Sequence, residues 1–332
     1  MVRVTVVDVR LVTREGAQRC APELLPAVLT REDGFVWVDL PVGDPDTERV
    51  LSDVFGFHPR AVHDCLERNA LPKVHVYDDH VLVVLHAPET GRGGHVHYLE
   101  LDQFVSSHYL VTVHGPINPA VDPAAALRET GQVAARLDAG RLLPASPHAL
   151  STSIVSALTS RMRDHLADRT TDVWRFEQQV TAGTLGDAEQ FLDGMFRVRH
   201  GLLAIRTMAS LSHEIYARMH ALDVYGADGR ALLDNSLDQF KRLATMARSQ
   251  EEYLQGVIEF YQTRTNTKMT IAAERLAVIA SITLPITALS SVMGMNVIVN
   301  SATDPVFLTV LIGVMTLMSV LMLIWARRRG WF

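Results

Sequence analysis

One helical face late in the chain carries groups suited to passing a cation. Positions separated alternately by four and three residues read Glu259, Thr263, Asn266, Thr270, Ala273, Ala277, Ala280, Leu284, Thr287, Ser291 and Gly294. All except Leu284 are polar or small. A 4/3 alternation is the 3.5-residue period of a helix seam. On a nearly opposite face lie Ile279, Ile282, Ile286, Leu289 and Met293, all large and apolar. In a lone helix, Thr287 and Ser291 would face hydrocarbon. Close helix packing by small residues is one use for such a face. Several copies around an axis, lining a narrow path with Leu284 as a constriction, is the other. The continuation into polar residues and Glu259 below the apolar stretch favours the path.

The stripe needs elements that cross a bilayer. Residues 276–293 are uncharged and mostly apolar. Residues 306–326 form a second run of 21, about 31 Å long as a helix at about 1.5 Å per residue. A hydrocarbon core is about 30 Å thick. Trp325 falls where an interfacial aromatic belongs, and Arg327, Arg328 and Arg329 follow it. A basic cluster beside a span marks the cytoplasmic side. Two spans make a hairpin, so the N-terminal body and both termini are expected on that side.

The body itself reads as soluble. The 332 residues are 20% charged and 48% hydrophobic, with mean hydropathy +0.12, which excludes disordered and low-complexity classes. After residue 275 the only charges are Asp304 and the three arginines, summing to +2, so the first 275 positions carry −8 of the net −6. An acidic body is a poor nucleic-acid binder and suits a handler of cations. Cys20 and Cys65 form neither a CxxC pair nor a disulfide framework and are expected as reduced thiols. The N-terminal segment alternates and carries Asp8 and Arg10, so it reads as a strand and not a signal peptide.

Twelve of the 14 prolines lie at or before Pro147. In that part, strand-like runs at 2–12, 35–40, 73–77, 80–86, 95–105 and 109–114 are interleaved with helical runs at 47–55, 60–68 and 120–137. Beyond it, long helices are predicted at 148–182, 185–222 and 231–293, broken by turn chemistry at 181–186 and 225–229. Gly91-Arg92-Gly93-Gly94 reads as a hairpin turn and not a phosphate loop. His95 and His97 share a strand face, read as solvated or interfacial. No nucleophile elbow or catalytic constellation is visible, so an enzyme is not expected.

The first span closes in Gly294-Met295-Asn296, with Leu284-Pro285-Ile286-Thr287 inside it. Upstream stand His58-Pro59, Asp64, Pro72-Lys73-Val74, Tyr77-Asp78-Asp79, the strand 80–85 and a strand pair within 101–114. In this order, over most of the chain, the sequence resembles the CorA family of divalent-cation channels, whose first membrane helix ends in a Gly-Met-Asn signature. The resemblance implies an α+β membrane protein that assembles as a homopentameric funnel. Its parts would be a cytosolic α/β/α domain at 1–145, a long-helix stalk at 146–275, a pore-lining span at 276–296, an outer loop at 297–305, a second span at 306–326 and a basic cytosolic tail at 327–332. It also implies the inner (plasma) membrane, Mg²⁺ as substrate with Co²⁺ or Ni²⁺ as further candidates, and no cofactor. The partners would be metal ions, lipid and other copies of the chain, with no nucleic acid.

Carried over residue by residue, Gly294, Met295 and Asn296 become the selectivity filter. Thr270, Ala273, Leu284 and Thr287 line the pore, with an apolar constriction at Leu276; the stripe adds Ala277, Ala280 and Ser291. Glu259 falls where the family often has an aspartate at the cytosolic mouth. Some positions depart from the family pattern. Met293 stands for the usual Tyr, Val297 for the usual Phe, and Thr270 where many members have Asn. Asp234-Asn235-Ser236-Leu237-Asp238-Gln239 stands where an Arg-Asp-Val-Tyr-Asp-His segment senses metal. Asp238 matches one of its acids, Asn235 replaces the other, and Asp234 is the candidate substitute. Asp234, Asp238 and Glu259 are therefore the candidate cytosolic sites for Mg²⁺ as a regulatory ligand.

Mg²⁺ prefers octahedral oxygen and dehydrates reluctantly. A ring of amide oxygens from Asn296 would bind the hydration shell without holding the ion as a carboxylate ring would. Soft ligands are absent from the stripe, which argues against direct coordination of Zn²⁺. Two alternatives stay open: a transporter of Zn²⁺ or another divalent ion on the same fold, and a non-conducting membrane-anchored sensor or scaffold.

Overall fold

The computed structural model describes residues 7–41, 45–91, 95–116, 118–184, 187–294 and 305–328. The chain divides into two compact units, Met1–Val257 and Ile258–Phe332. The first unit contains strands β1 (Asp8–Thr13), β2 (Gly16–Cys20), β3 (Gly34–Leu40), β4 (Lys73–Val76), β5 (His80–Thr90), β6 (Val96–Ser106) and β7 (Tyr109–His114). Its helices are α1 (Leu25–Leu29), α2 (Pro45–Arg49), α3 (Pro59–Leu66), α4 (Arg128–Asp138), α5 (Pro147–Ala182) and α6 (Ala188–Ala221). Helix α7 (Gly226–Gly294) begins in the first unit and ends in the second, which α8 (Pro305–Arg328) completes.

The strands form one mixed sheet in the order β2-β1-β3-β7-β6-β5-β4. Among the described residues only β3 and β7 pair in parallel, with Val38 opposite Val111; the other neighbours are antiparallel. Alternation sorts the sheet's two faces. On one face Val9, Leu11, Val36, Val38, Phe104 and Val111 pack with Leu25 and Val28 of α1 and Ala61, Val62 and Cys65 of α3. From the other face Gln103 accepts from Ser151 of α5 at 2.6 Å, and His114 meets Thr130 of α4 at 3.3 Å. The result is an α/β/α arrangement. β5 is buried along nearly its whole length, which explains its near-continuous apolar run.

The predicted strands are present wherever residues are described, and β5 and β6 form the expected hairpin around Gly91. Several elements differ. β2 is an extra edge strand whose Gly-Ala-Gln-Arg-Cys sequence lacks apolar alternation. The run at 47–55 becomes α2 followed by a π-turn, Val50–Val54. The run at 120–137 becomes a 3₁₀ turn, Pro123–Ala125, followed by α4. Helix α7 starts at Gly226, five residues before the expected 231, because the positive φ values sit at Asp223 (51°) and Gly226 (66°). Gly229 is already helical, and a Cβ there would lie 2.2 Å from the Tyr225 side chain.

Polar groups tie the layers together. Arg161 of α5, 6% exposed, donates to both carboxylate oxygens of Glu129 at 2.9 and 3.1 Å, to the Ala125 carbonyl at 3.0 Å, and to Glu89. Removing one member of a buried pair of this kind strands its partner at a cost of about 3–5 kcal/mol. At the β3–β7 seam, His114 Nε2 lies 2.8 Å from Asp39 Oδ1. Thr112 donates to Asp39, and Trp37 Nε1 donates to Thr112 Oγ1 at 3.1 Å. Across the sheet, burial and the neighbouring Glu100 push Asp102 well above the usual carboxylate range. Helices α5 and α6 meet through Phe176 and Phe191, edge to face at 5.4 Å. Gly194 permits this approach, since a Cβ there would come within 2.7 Å of the Phe176 ring.

The seam pair sets a pH window. Burial opposes ionisation of Asp39, but the charge and hydrogen bonds of His114 and the hydroxyls of Thr112 and Thr130 outweigh it and lower its pKa. Burial likewise opposes charging of His114, and Asp39 outweighs that and raises its pKa. The carboxylate's contribution is present above about pH 3.9 and lost as pH falls through its lowered value. The imidazolium's contribution is present below about pH 6.5 and lost as pH rises through its raised value. Melting temperature measured against pH should be highest between those limits, and Asp39→Asn should lower it most inside that window. An equal loss at pH 5 and pH 9 would show that the pair is not ionic.

Candidate ion pathway

The second unit builds its site from two helices. The stretches of α7 within Gly229–Ser291 and of α8 within Thr309–Arg328 are long and apolar enough to cross a membrane. Within the unit, Val278 is 1% exposed and Ala326 3%, while Ile282, Pro285, Ile286 and Leu289 are half-buried. These α7 residues recur at the 3–4 spacing of one helix face, which packs toward α8. Met318, Leu321, Met322 and Trp325 of α8 line the groove between the two helices.

The large apolar face read from the sequence and the face that meets α8 differ by one residue at the end nearer the first unit's chain segment. Ile279 is 56% exposed and the adjacent Val278 is buried. Met293's side chain lies outside the described residues. Met318 and Met322 pack into the hairpin.

The stripe lies away from this contact. Thr270, Ala273, Leu276, Ala277, Leu284, Thr287 and Ser291 are exposed on the single chain, and Ala280 is half-buried. Leu276 and Leu284 are each 66% exposed, large apolar groups on the same side as the hydroxyls and alanines. Thr287 Oγ1 donates to the Thr283 carbonyl at 2.8 Å, and Thr263 Oγ1 to the Glu259 carbonyl at 2.9 Å. Such back-bonding satisfies the donor but leaves oxygen lone pairs outward. A face of this kind can pass an ion's water shell along without gripping it. Pro285, inside α7, has no N–H to offer the Ser281 carbonyl and favours a bend there.

Gly294 is the last residue of α7. Met295 and Asn296 lie outside the described residues, as do most of the outer loop and Arg329. The cytosolic candidates are described. Asp234 lies 3.2 Å from His220, and Asp238 pairs with Arg242 one turn along. Asn235 Oδ1 accepts from Gln239 Nε2 at 3.2 Å; Gln239 also donates to Ser156 Oγ at 3.2 Å and accepts from Thr159. Where the resemblance has an acid and a histidine, this chain has a self-satisfied amide cluster. Glu259 belongs to the second unit. Among the described residues, no three His, Cys, Asp or Glu side chains converge as a metal cage. His97, half-buried, has Asn118 at 3.2 Å.

Two features escaped the sequence reading. The first is the buried ionic cluster around Arg161, whose members are too far apart in sequence to announce a contact. The second is the groove between α7 and α8; the spacing of Val278, Ile282 and Leu289 was its only signal.

Comparison with known proteins adds a family and a fold. A family model described as CorA-like Mg²⁺ transporter protein matches residues 32–328. YfjQ of Bacillus subtilis (strain 168), whose name describes a metal ion transporter, is 26% identical over 308 residues, covering 90% of each chain. The complete CorA magnesium transporter of Methanocaldococcus jannaschii superposes with a TM-score of 0.81 at 16% identity, over 99% of this chain and 100% of that one. The cytoplasmic domain of ZntB from Vibrio parahaemolyticus gives 0.61 at 13% identity, over 79% of this chain and 99% of that one. At such identities the two structures establish a shared fold.

If the stripe lines a water-filled path, single cysteines introduced there should be reached by a charged thiol reagent in a background with Cys20→Ser and Cys65→Ala. Positions 273, 277, 280, 284 and 287 should label and positions 282 and 286 should not. Labelling confined to the second group would place the path elsewhere.

Proposed function

The chain belongs to the family of CorA-like Mg²⁺ transporter proteins, and from that membership we propose that it conducts hydrated divalent cations, Mg²⁺ foremost, through a ring of five copies. The observation that carries this reading is the face of α7 turned away from α8. It combines small residues and outward hydroxyl oxygens over the length of a bilayer. An anchor would have no use for it. Five such faces around an axis give a path whose walls are neutral and weakly polar, interrupted by rings of Leu276 and Leu284 that exclude water when they close.

In this reading Gly294, Met295 and Asn296 form the outer filter, with the Asn296 amide oxygens binding the hydration shell. A cytosol-negative potential contributes about 2.3 kcal/mol per charge per 100 mV, hence about 4.6 kcal/mol for a divalent ion moving inward. The soluble body and both termini are cytoplasmic. Asp234 and Asp238 are engaged by His220 and Arg242, and Asn235 is neutral. Control of opening by cytosolic Mg²⁺ would thus be weakened relative to a fully acidic segment.

Conduction of Zn²⁺ is a second reading, favoured by the fold shared with the ZntB domain. Flux into liposomes with Mg²⁺, Co²⁺, Ni²⁺ and Zn²⁺ in turn decides between the two.

The filter assignment predicts that Asn296→Ala still assembles as a pentamer by native mass spectrometry. Its Mg²⁺ flux should fall about tenfold or more. A net loss of about 1 kcal/mol per amide contact, taken over several subunits, exceeds the roughly 1.4 kcal/mol of a tenfold rate change. Asn296→Asp should also slow flux and alter selectivity, by holding the ion or by partly protonating. Wild-type flux through an assembled Asn296→Ala ring would remove this site from the mechanism, and a stable monomer or dimer would remove the ring.

A further inference from the structure

The groove between α7 and α8 encloses about 540 Å³ and is walled almost entirely by carbon, from Val278, Ile282, Met318, Leu321, Met322 and Trp325. One end is marked by charge. Continuing the lining face of α7 backward by three residues from Val278 reaches Arg275. Continuing that of α8 forward by three from Trp325 reaches Arg328. Both are exposed, and neither has an ion-pair partner among the described residues. Arg327 adds a third guanidinium. Glu274, the acid nearest in sequence, is outnumbered, and residues 276–303 and 305–332 contain no Asp or Glu.

We propose that this groove binds an anionic phospholipid, with an acyl chain along Val278, Ile282, Met318 and Met322 and its phosphate at Arg275 and Arg328. The inference rests on reading residues 276–293 and 306–326 as spans, and it concerns a face that the ion path does not use. Two chemistries meet at one place. An apolar channel takes a chain at about 0.8 kcal/mol per buried CH₂, and guanidinium groups pair with phosphate in a fixed fork. Basic pockets between membrane helices on the cytoplasmic side recognise anionic headgroups in this way. An apolar helix from a second copy would fill the groove but leave both guanidiniums without a counter-charge. Free phosphate would satisfy the arginines but leave the groove empty.

The test uses the full chain, delipidated in detergent, with phosphatidylglycerol or phosphatidylcholine of identical acyl chains titrated in native mass spectrometry. Phosphatidylglycerol should be retained at least tenfold more tightly. Arg275→Gln with Arg328→Gln should remove that preference and leave phosphatidylcholine retention unchanged. A second measurement needs no change to the arginines. Phosphatidylglycerol with brominated chains should quench the wild-type fluorescence by a component that Trp325→Phe abolishes. Equal retention of the two lipids, a preference that survives the arginine changes, or quenching unaffected by Trp325→Phe would each overturn the proposal. So would displacement of phosphatidylglycerol by inorganic phosphate at equal concentration. A protein that keeps the lipid preference yet carries no divalent ion would leave this site standing and sink the transport reading.

Discussion

Hydrocarbon offers no partner to a polar group, and every assignment in the second unit follows from that constraint. A helix can cross a bilayer because its backbone satisfies itself. Its side chains must then be apolar, back-bonded to the helix, or turned toward something other than lipid. In α7 all three solutions appear. Val278, Ile282 and Leu289 go to α8, Thr283 and Thr287 return their protons to carbonyls one turn back, and in the proposed ring the small-residue stripe would face an aqueous axis. In the proposed reading the stripe serves as a cation path, with Leu276 and Leu284 as its apolar constrictions.

The soluble unit meets the opposite problem. Water is available, yet charges are buried: Arg161 with Glu129 and Glu89, and Asp39 with His114. Each ion is compensated by at least two hydrogen bonds or charges, which is the condition under which such burial is tolerated. Their positions are informative. The arginine cluster fastens α5 to α4 and to the end of β5, and the seam pair fastens β3 to β7 with α4 above it. These contacts hold the long helix α5 in register on the sheet, where packing alone would allow sliding.

Much of this was legible beforehand. The long helices, the two C-terminal apolar helices and six of the strands follow from periodicity, proline placement and charge. The motif order pointed to the family over most of the chain. What stayed hidden had physical causes. β2 is a half-exposed edge whose pairing with β1 comes from the turn at Thr13–Gly16 and not from its own pattern. Val278 and Ile279 are equally apolar, so the phase of the packing face was undetermined until α8 was beside it. The start of α7 turned on backbone angles at Asp223 and Gly226 that Gly229 disguised. The filter residues Met295 and Asn296 remain a reading from sequence.

The single parallel pairing in the sheet has a kinetic consequence. Each antiparallel neighbour joined by a short turn can form early and locally. The β3–β7 seam instead joins residues 73 positions apart, such as Asp39 and Thr112. Closing a loop of that length costs about 4 kcal/mol of chain entropy before any contact across it is made. The ribbon β1–β2–β3 and the ribbon β4–β5–β6–β7 should therefore exist as separate pieces while the chain searches, with raw edges exposed. Their docking is the slow event of folding, and the interval before it is when one chain is most prone to pair with another.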